Sequence, residues 1–93
     1  MDHTKQTYGY AQNKSGINKR LNRVEGQVRG IAKMVDEDKY CIDILTQIGA
    51  AKAALDKVAV ELIKDHANHC LSDKQHDHAE KAEELANAVG RML

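Results

Sequence analysis

The chain has 93 residues with no Pro, Trp or Phe and only three Tyr, so one small domain must build its core from aliphatic side chains. Fourteen basic and fourteen acidic residues give a net charge of zero, and any affinity for a polyanion must therefore come from uneven placement of charge. No apolar run is long enough for a signal peptide or a membrane span, which predicts a cytoplasmic protein whose two cysteines are ligands or redox-active thiols rather than a disulfide.

The N-terminal part of the chain predicts a polar, mobile tail over residues 1–14, ahead of a single helical domain over residues 15–93. Ser15 is the candidate N-cap of the first helix, and residues 36–39 form a polar break after it. Apolar residues in between advance by four and three positions in alternation, which is a heptad seam: Ile17, Leu21, Val24, Val28, Ile31 and Val35.

Basic residues concentrate in the same segment. Residues 1–35 carry seven Lys or Arg against two acidic residues, a balance of +5, whereas residues 36–93 carry seven basic against twelve acidic residues. A charge run is most often a solvated helix face, but this one is also the candidate surface for binding a polyanion.

A second helix is predicted over residues 41–71 by the same spacing, and a third helix of about 16 residues follows a polar break at residues 72–75. The seam of the second helix continues to His66 and then to His69 or Cys70: Ile44, Ile48, Ala51, Leu55, Val58 and Leu62. The pattern therefore predicts an all-α protein. A monomer of this size is marginal, so we expect it to gain apolar burial by forming oligomers.

Cys41, His66 and Cys70 form the candidate metal site. His66 and Cys70 are four residues apart and share a helix face, whereas Cys41 in the same helix lies about 37 Å away from His66. An antiparallel second copy would bring Cys41 of one chain beside His66 and Cys70 of the other. Two thiolates and one imidazole favour Cu(I). The alternative is that the cysteines are small apolar core residues and that His66 is solvated.

Four motifs together resemble one family: RLNRVEGQVRGI at residues 20–31, Tyr40-Cys41, HANHC at residues 66–70, and Glu83-Glu84-Leu85. Over residues 16–92 the chain resembles the copper-sensitive operon repressors, the CsoR/RcnR group of small all-helical bacterial transcription factors. The resemblance implies three-helix protomers that form an antiparallel four-helix-bundle dimer, and dimers that pair into a tetramer.

The resemblance also implies roles for particular residues. Cys41 of one protomer and His66 and Cys70 of the other would bind Cu(I), with Tyr40 and Glu84 around the histidine. Operator DNA would be bound in the metal-free state and released on Cu(I) binding. The positions that match the family's phosphate contacts are Lys19, Arg20, Arg23, Arg29 and Lys57, with Gln27 near enough to touch a base edge.

Other inducers remain open on the same scaffold. Nickel and cobalt sensors of the group have a histidine 32 residues before the cysteine, where this chain has Gly9, although His3 could substitute. His66 argues against the persulfide-sensing branch, which lacks it, and a formaldehyde sensor would use Cys41 as a nucleophile.

A cytosolic copper or zinc buffer would use the same ligands without DNA. No catalytic constellation is present, so an enzyme is not expected. His69, His76 and His78 are either solvated or a secondary Zn(II) or Ni(II) site.

Overall fold

The computed structural model describes residues 9–72 and 78–92, and for residues 70–72 and His78 it describes only the backbone. A short 3-10 helix, Gly9–Asn13, precedes three α-helices: α1 (Lys14–Asp36), α2 (Cys41–Ser72) and α3 (His78–Met92). No strand occurs in the described ranges, and the predicted all-α class with three helices is confirmed. None of these helices is long and apolar enough to cross a membrane.

Helix α1 begins two residues earlier than an N-cap at Ser15 predicts. Ser15 is the second residue of α1 and not its N-cap, because the 3-10 helix runs directly into Lys14. Asn13 stands immediately before the helix, and its side-chain amide donates hydrogen bonds to the carboxylates of Glu61 and Asp65, at 3.2 and 3.3 Å. The residues before α1 are thus held to α2 by contacts that periodicity does not reveal.

The turn between α1 and α2 is a Schellman motif. Asp38 adopts a left-handed backbone with φ of 57°, its N–H donates to the carbonyl of Val35 (3.1 Å), and the Lys39 N–H donates to the carbonyl of Met34 (3.0 Å). These two bonds satisfy carbonyl groups at the end of α1 that have no partner within the helix. The turn therefore ends α1 sharply and allows α2 to start at Cys41.

Residues 14–60 form one compact unit, a helical hairpin made by α1 and the first part of α2. Its buried apolar residues are Ile17 and Val24 on α1 and Ala51 and Val58 on α2. Ile17 and Val58 are equally far from the turn along the chain, and so are Val24 and Ala51. An antiparallel hairpin therefore places the members of each pair at the same level, and the core of the hairpin repeats once per heptad.

The described parts of residues 1–13 and 61–93 form the second compact unit. It contains the Asn13 hydrogen bonds, the last three turns of α2 and all of α3. The partly buried side of α3 is spaced at helical intervals and consists of Lys81, Leu85, Ala88 and Val89. Of these four, Leu85 and Val89 are the large apolar side chains.

Candidate metal centre and nucleic-acid interface

His66 and Cys70 lie in the last two turns of α2, one helical turn apart, as their spacing predicts. The His66 side chain is half-buried, as are those of Asp65 and His69 beside it. For Cys70 the helical backbone is described and the side chain is not. The backbone thus places two soft donors on the same face near the C-terminal end of one long helix.

Cys41 is the first residue of α2, and its thiol is free and exposed. Tyr40 comes directly before the helix with 69% of its surface exposed, and its carbonyl accepts hydrogen bonds from the N–H groups of Asp43 (3.0 Å) and Ile44 (3.2 Å). Within the described residues of one chain, no group of three or more His, Cys, Asp or Glu side chains is arranged to bind a metal.

The sequence predicts four further residues at or near a metal site: Glu84, His3, His76 and His78. Glu84 lies on α3, and its carboxylate is 3.7 Å from the ammonium group of Lys81 one turn earlier. His3 and His76 lie outside the described residues, and His78 begins α3 with only its backbone described.

Asn13, Glu61 and Asp65 are the polar cluster that sequence reasoning missed. The two carboxylates are four residues apart on α2, and Asp65 immediately precedes His66. The spacing of Glu61 and Asp65 was visible in the sequence, but their partner is 48 and 52 residues away along the chain. This cluster fixes the segment before α1 to the part of α2 that carries His66.

Lys19, Arg20, Arg23 and Lys57 are exposed, and none of the ion pairs among the described residues involves them. Lys19, Arg20 and Arg23 follow one another on one side of α1. The antiparallel hairpin places Lys57 at the level of Asn18 on α1, close in height to Lys19. These four cations are free to meet phosphate groups.

Arg29 differs from Lys19, Arg20 and Arg23 on the same helix. It lies nine residues after Arg20, which is about two and a half helical turns, and therefore on the opposite face. Its guanidinium Nη1 is 3.2 Å from Oε1 of Glu25. The Oε1 atom of Gln27 is buried without a hydrogen-bond partner among the described residues, so a contact with a base edge would have to use its Nε2.

A family model described as metal-sensitive transcriptional repressor matches residues 13–91. The chain belongs to this family. The family resemblance read from the sequence is thereby confirmed, and members of this family are transcriptional repressors.

Among curated proteins, the chain is 58% identical over 65 residues to the copper-sensing transcriptional repressor RicR of Mycobacterium tuberculosis, a match that covers 70% of this chain and 68% of RicR. It is 49% identical over 72 residues to the copper-sensing transcriptional repressor CsoR of Bacillus subtilis, covering 77% of this chain and 71% of that protein.

Two solved structures share the fold. The copper-sensing repressor CsoR with Cu(I) from Geobacillus thermodenitrificans NG80-2 is 40% identical with a TM-score of 0.81, and the match covers 95% of this chain and 91% of that chain. The nickel-responsive transcriptional regulator InrS is 30% identical with a TM-score of 0.74, and the match covers both chains fully.

Proposed function

We propose that this protein is a cytoplasmic Cu(I)-responsive transcriptional repressor and not an enzyme. It binds operator DNA in the metal-free form and releases it when Cu(I) binds to Cys41 of one protomer and to His66 and Cys70 of its partner. The observation that carries the proposal is the placement of soft donors at the two ends of α2, in a chain similar to proteins named copper-sensing repressors.

The geometry of α2 supports a site shared between two copies. The helix has 32 residues, and the 25 residues from Cys41 to His66 correspond to a rise of about 37 Å. An antiparallel α2 of a second copy reverses this order and brings the two ends together twice, as two-fold symmetry requires. Two thiolates and an imidazole suit a three-coordinate Cu(I). Tyr40 and Glu84 would orient the imidazole through its other ring nitrogen.

The exposed half of the heptad seam supports the dimer. On α1, Val28 and Val35 are 54% and 55% exposed, and on α2, Leu55 is 49% exposed. These residues follow the same heptad spacing as the buried core, so they form a continuous apolar face that an isolated protomer leaves in water. We propose that a second copy covers this face to form an antiparallel four-helix bundle, and that two such dimers pair into a tetramer.

The unpaired cations support a phosphate-binding surface on the opposite side of the hairpin. Lys19, Arg20 and Arg23 with Lys57 neutralise phosphates and release counterions, which supplies affinity without reading sequence. Sequence preference then comes from the shape of the operator grooves. Arg29 belongs to the predicted set but lies on another face of α1.

Nickel sensing is the second candidate function, because the chain also shares its fold with InrS. The donor set argues for copper, since Ni(II) prefers more nitrogen and oxygen ligands than two cysteines and one histidine provide. Gly9, at the position where nickel and cobalt sensors of this group have a histidine, supplies no side chain. Formaldehyde and reactive sulfur species are further inducers to include in the test.

The decisive experiment is operator binding by fluorescence anisotropy with and without one Cu(I) per protomer. We expect Cu(I) to weaken operator binding by about 5- to 150-fold, the usual span of allosteric coupling. His66→Ala should still bind Cu(I) through the two thiolates but lose most of this effect. His69→Ala, one turn of the same helix away, is the matched control and should respond as wild type.

Two results would contradict the proposal. Wild-type protein that holds Cu(I) tightly and stays on its operator is a metal buffer or senses something else. Release by Ni(II), formaldehyde or polysulfide, with no response to Cu(I), identifies the other inducer.

A mixed dimer tests the shared site. One chain carries Cys41→Ala, and the other carries both His66→Ala and Cys70→Ala. A homodimer of either chain has no complete site, whereas the mixed dimer combines one intact set of ligands. Its Cu(I) stoichiometry should be one per dimer. A stable monomer with full Cu(I) affinity would show that the site is not shared.

A further inference from the structure

The ion pair between Glu25 and Arg29 lies on a different face of α1 from the proposed DNA surface. Arg29 lies about 120° from Arg23 and about 180° from Arg20 around the helix, and about 80° from Lys19, so it lies beside that surface and not within it. Its guanidinium Nη1 lies 3.2 Å from Oε1 of Glu25 one turn earlier. The cations proposed to bind phosphate have no such partner among the described side chains.

Glu25 adjoins the exposed apolar face of the hairpin. It is four residues after Leu21 and three residues before Val28, and residues at these spacings are neighbours on a helix surface. Leu21 is 39% exposed and Val28 is 54% exposed. The ion pair therefore borders the row of apolar residues that an isolated protomer leaves uncovered.

The Arg29 side chain is also directed back along its own helix. A Cβ placed on Gly26 would lie 3.7 Å from Nη2 of Arg29. The guanidinium thus extends over the turn that contains Glu25 and Gly26 rather than straight away from the helix. A pair held in this way has a net charge of zero, unlike the unpaired cations on the other side of α1.

We propose that Glu25 and Arg29 belong to the contact between two copies of this chain, at the edge of the apolar face, and that Arg29 does not bind phosphate. This inference rests on the proposed dimer and assigns one of its polar edge contacts. In a two-fold symmetric contact each copy presents the same neutral pair, so neither copy repels the other there. Charges at the edge of an interface select the partner and its register more than they add affinity.

Arg29→Gln and Arg23→Gln test the assignment as matched variants. Dimer dissociation is measured by sedimentation equilibrium, and operator binding is measured over a range of salt with the protein well above its dimer dissociation constant. Arg29→Gln should raise the dimer dissociation constant about two- to fivefold, as expected for an exposed ion pair, and leave the salt slope of operator binding unchanged. Arg23→Gln should leave the dimer dissociation constant unchanged and reduce the salt slope by about 0.9 for each phosphate group that is no longer neutralised.

Exchanging the charges provides a second test. Arg29→Glu places two carboxylates one turn apart and should weaken the dimer more than Arg29→Gln does. Adding Glu25→Arg restores an ion pair of reversed polarity, and the double variant should dimerise within about twofold of wild type. Lys33→Gln, which removes the neighbouring ion pair of Lys33 with Glu37, is the control and should leave the dimer unchanged.

Two results would overturn the inference. The first is a reduced salt slope in Arg29→Gln with an unchanged dimer, which makes Arg29 a phosphate-binding residue. The second is a dimer that Arg29→Glu does not weaken. Failure of the proposed function is seen separately, because it appears as monomeric wild-type protein or as an unchanged salt slope in Arg23→Gln.

Discussion

Two halves of one heptad seam differ sharply in burial. On α1, Ile17 and Val24 are 5% and 8% exposed, whereas Val28 and Val35 on the same helix are 54% and 55% exposed. All four are aliphatic, and all four continue one pattern of steps of four and three. The spacing therefore predicts equal burial for all four residues, although a single protomer buries only Ile17 and Val24.

The difference indicates that a heptad pattern marks the apolar positions that are buried in the assembled protein, and not only those buried within one protomer. In this protomer the hairpin uses the inward residues of each helix as its own core. The outward residues are left for another surface, as Leu55 at 49% exposure and Ile48 at 38% exposure on α2 illustrate. Substitutions of inward residues should therefore lower the stability of the protomer, whereas substitutions of outward residues should weaken its assembly.

The largest effect is expected from truncating the inward half. Ile17→Ala removes a buried side chain at the level of Val58 and should lower the free energy of unfolding by about 2–5 kcal/mol. Because Ile17 packs within its own protomer, the decrease should be the same at low and high protein concentration. Urea unfolding followed by circular dichroism at two concentrations measures it.

Leu21→Ala is the matched variant from the outward half of α1. Its side chain is 39% exposed in the protomer, so its contribution should come mainly from the second copy. We expect Leu21→Ala to lower the midpoint of unfolding more at high protein concentration, where wild type is dimeric, than at low concentration, where both proteins are monomeric. Equal concentration dependence in the two variants would contradict the division of the seam.

A charge placed on the outward half should act on assembly. Leu55→Asp puts a carboxylate at the middle of the exposed α2 row, where a second copy would bury it, and burying an unpaired charge is costly. We expect the dimer dissociation constant to rise by about 100-fold or more, equivalent to about 2.8 kcal/mol. Sedimentation velocity measures the change.

The control is Ala53→Asp, two residues earlier on the side of α2 that faces away from this row. It should leave the monomer–dimer step unchanged. Stoichiometric Cu(I) binding by a monomeric Leu55→Asp protein would contradict the shared metal site.

Sequence reasoning predicted the helices well because their signals are local. The heptad spacing predicted α2 over residues 41–71 against an observed Cys41–Ser72, and the polar break placed the turn correctly. The predicted start of α1 was wrong by two residues, since Ser15 resembles an N-cap while Asn13 bonds to Glu61 and Asp65 far along the chain. Such long-range contacts leave no periodic trace.

The candidate site was predictable only in part, for a different reason. Spacing alone places His66 and Cys70 on one helix face, and the helix bears this out. Cys41 begins the same helix, so its proximity to the other two donors depends on a second copy and stays a prediction. Helix periodicity alone predicts that Arg29 and Arg20 lie on opposite sides of α1, whereas a count of basic residues does not distinguish them.

The smallest effect is expected at the turn between the two helices, where neither half of the seam is touched. Asp38 holds a left-handed backbone, φ 57°, at the position where Schellman motifs favour glycine. Asp38→Gly removes the Cβ that this conformation disfavours but also loosens the unfolded chain, so the net gain should be about 0.5–1 kcal/mol. Asp38→Ala keeps the Cβ, loses the polar group and should be less stable than wild type. Both changes act within one protomer, so urea unfolding should show the same shift at every protein concentration. A gain for Asp38→Gly that grows with concentration would mean that the turn itself contributes to assembly.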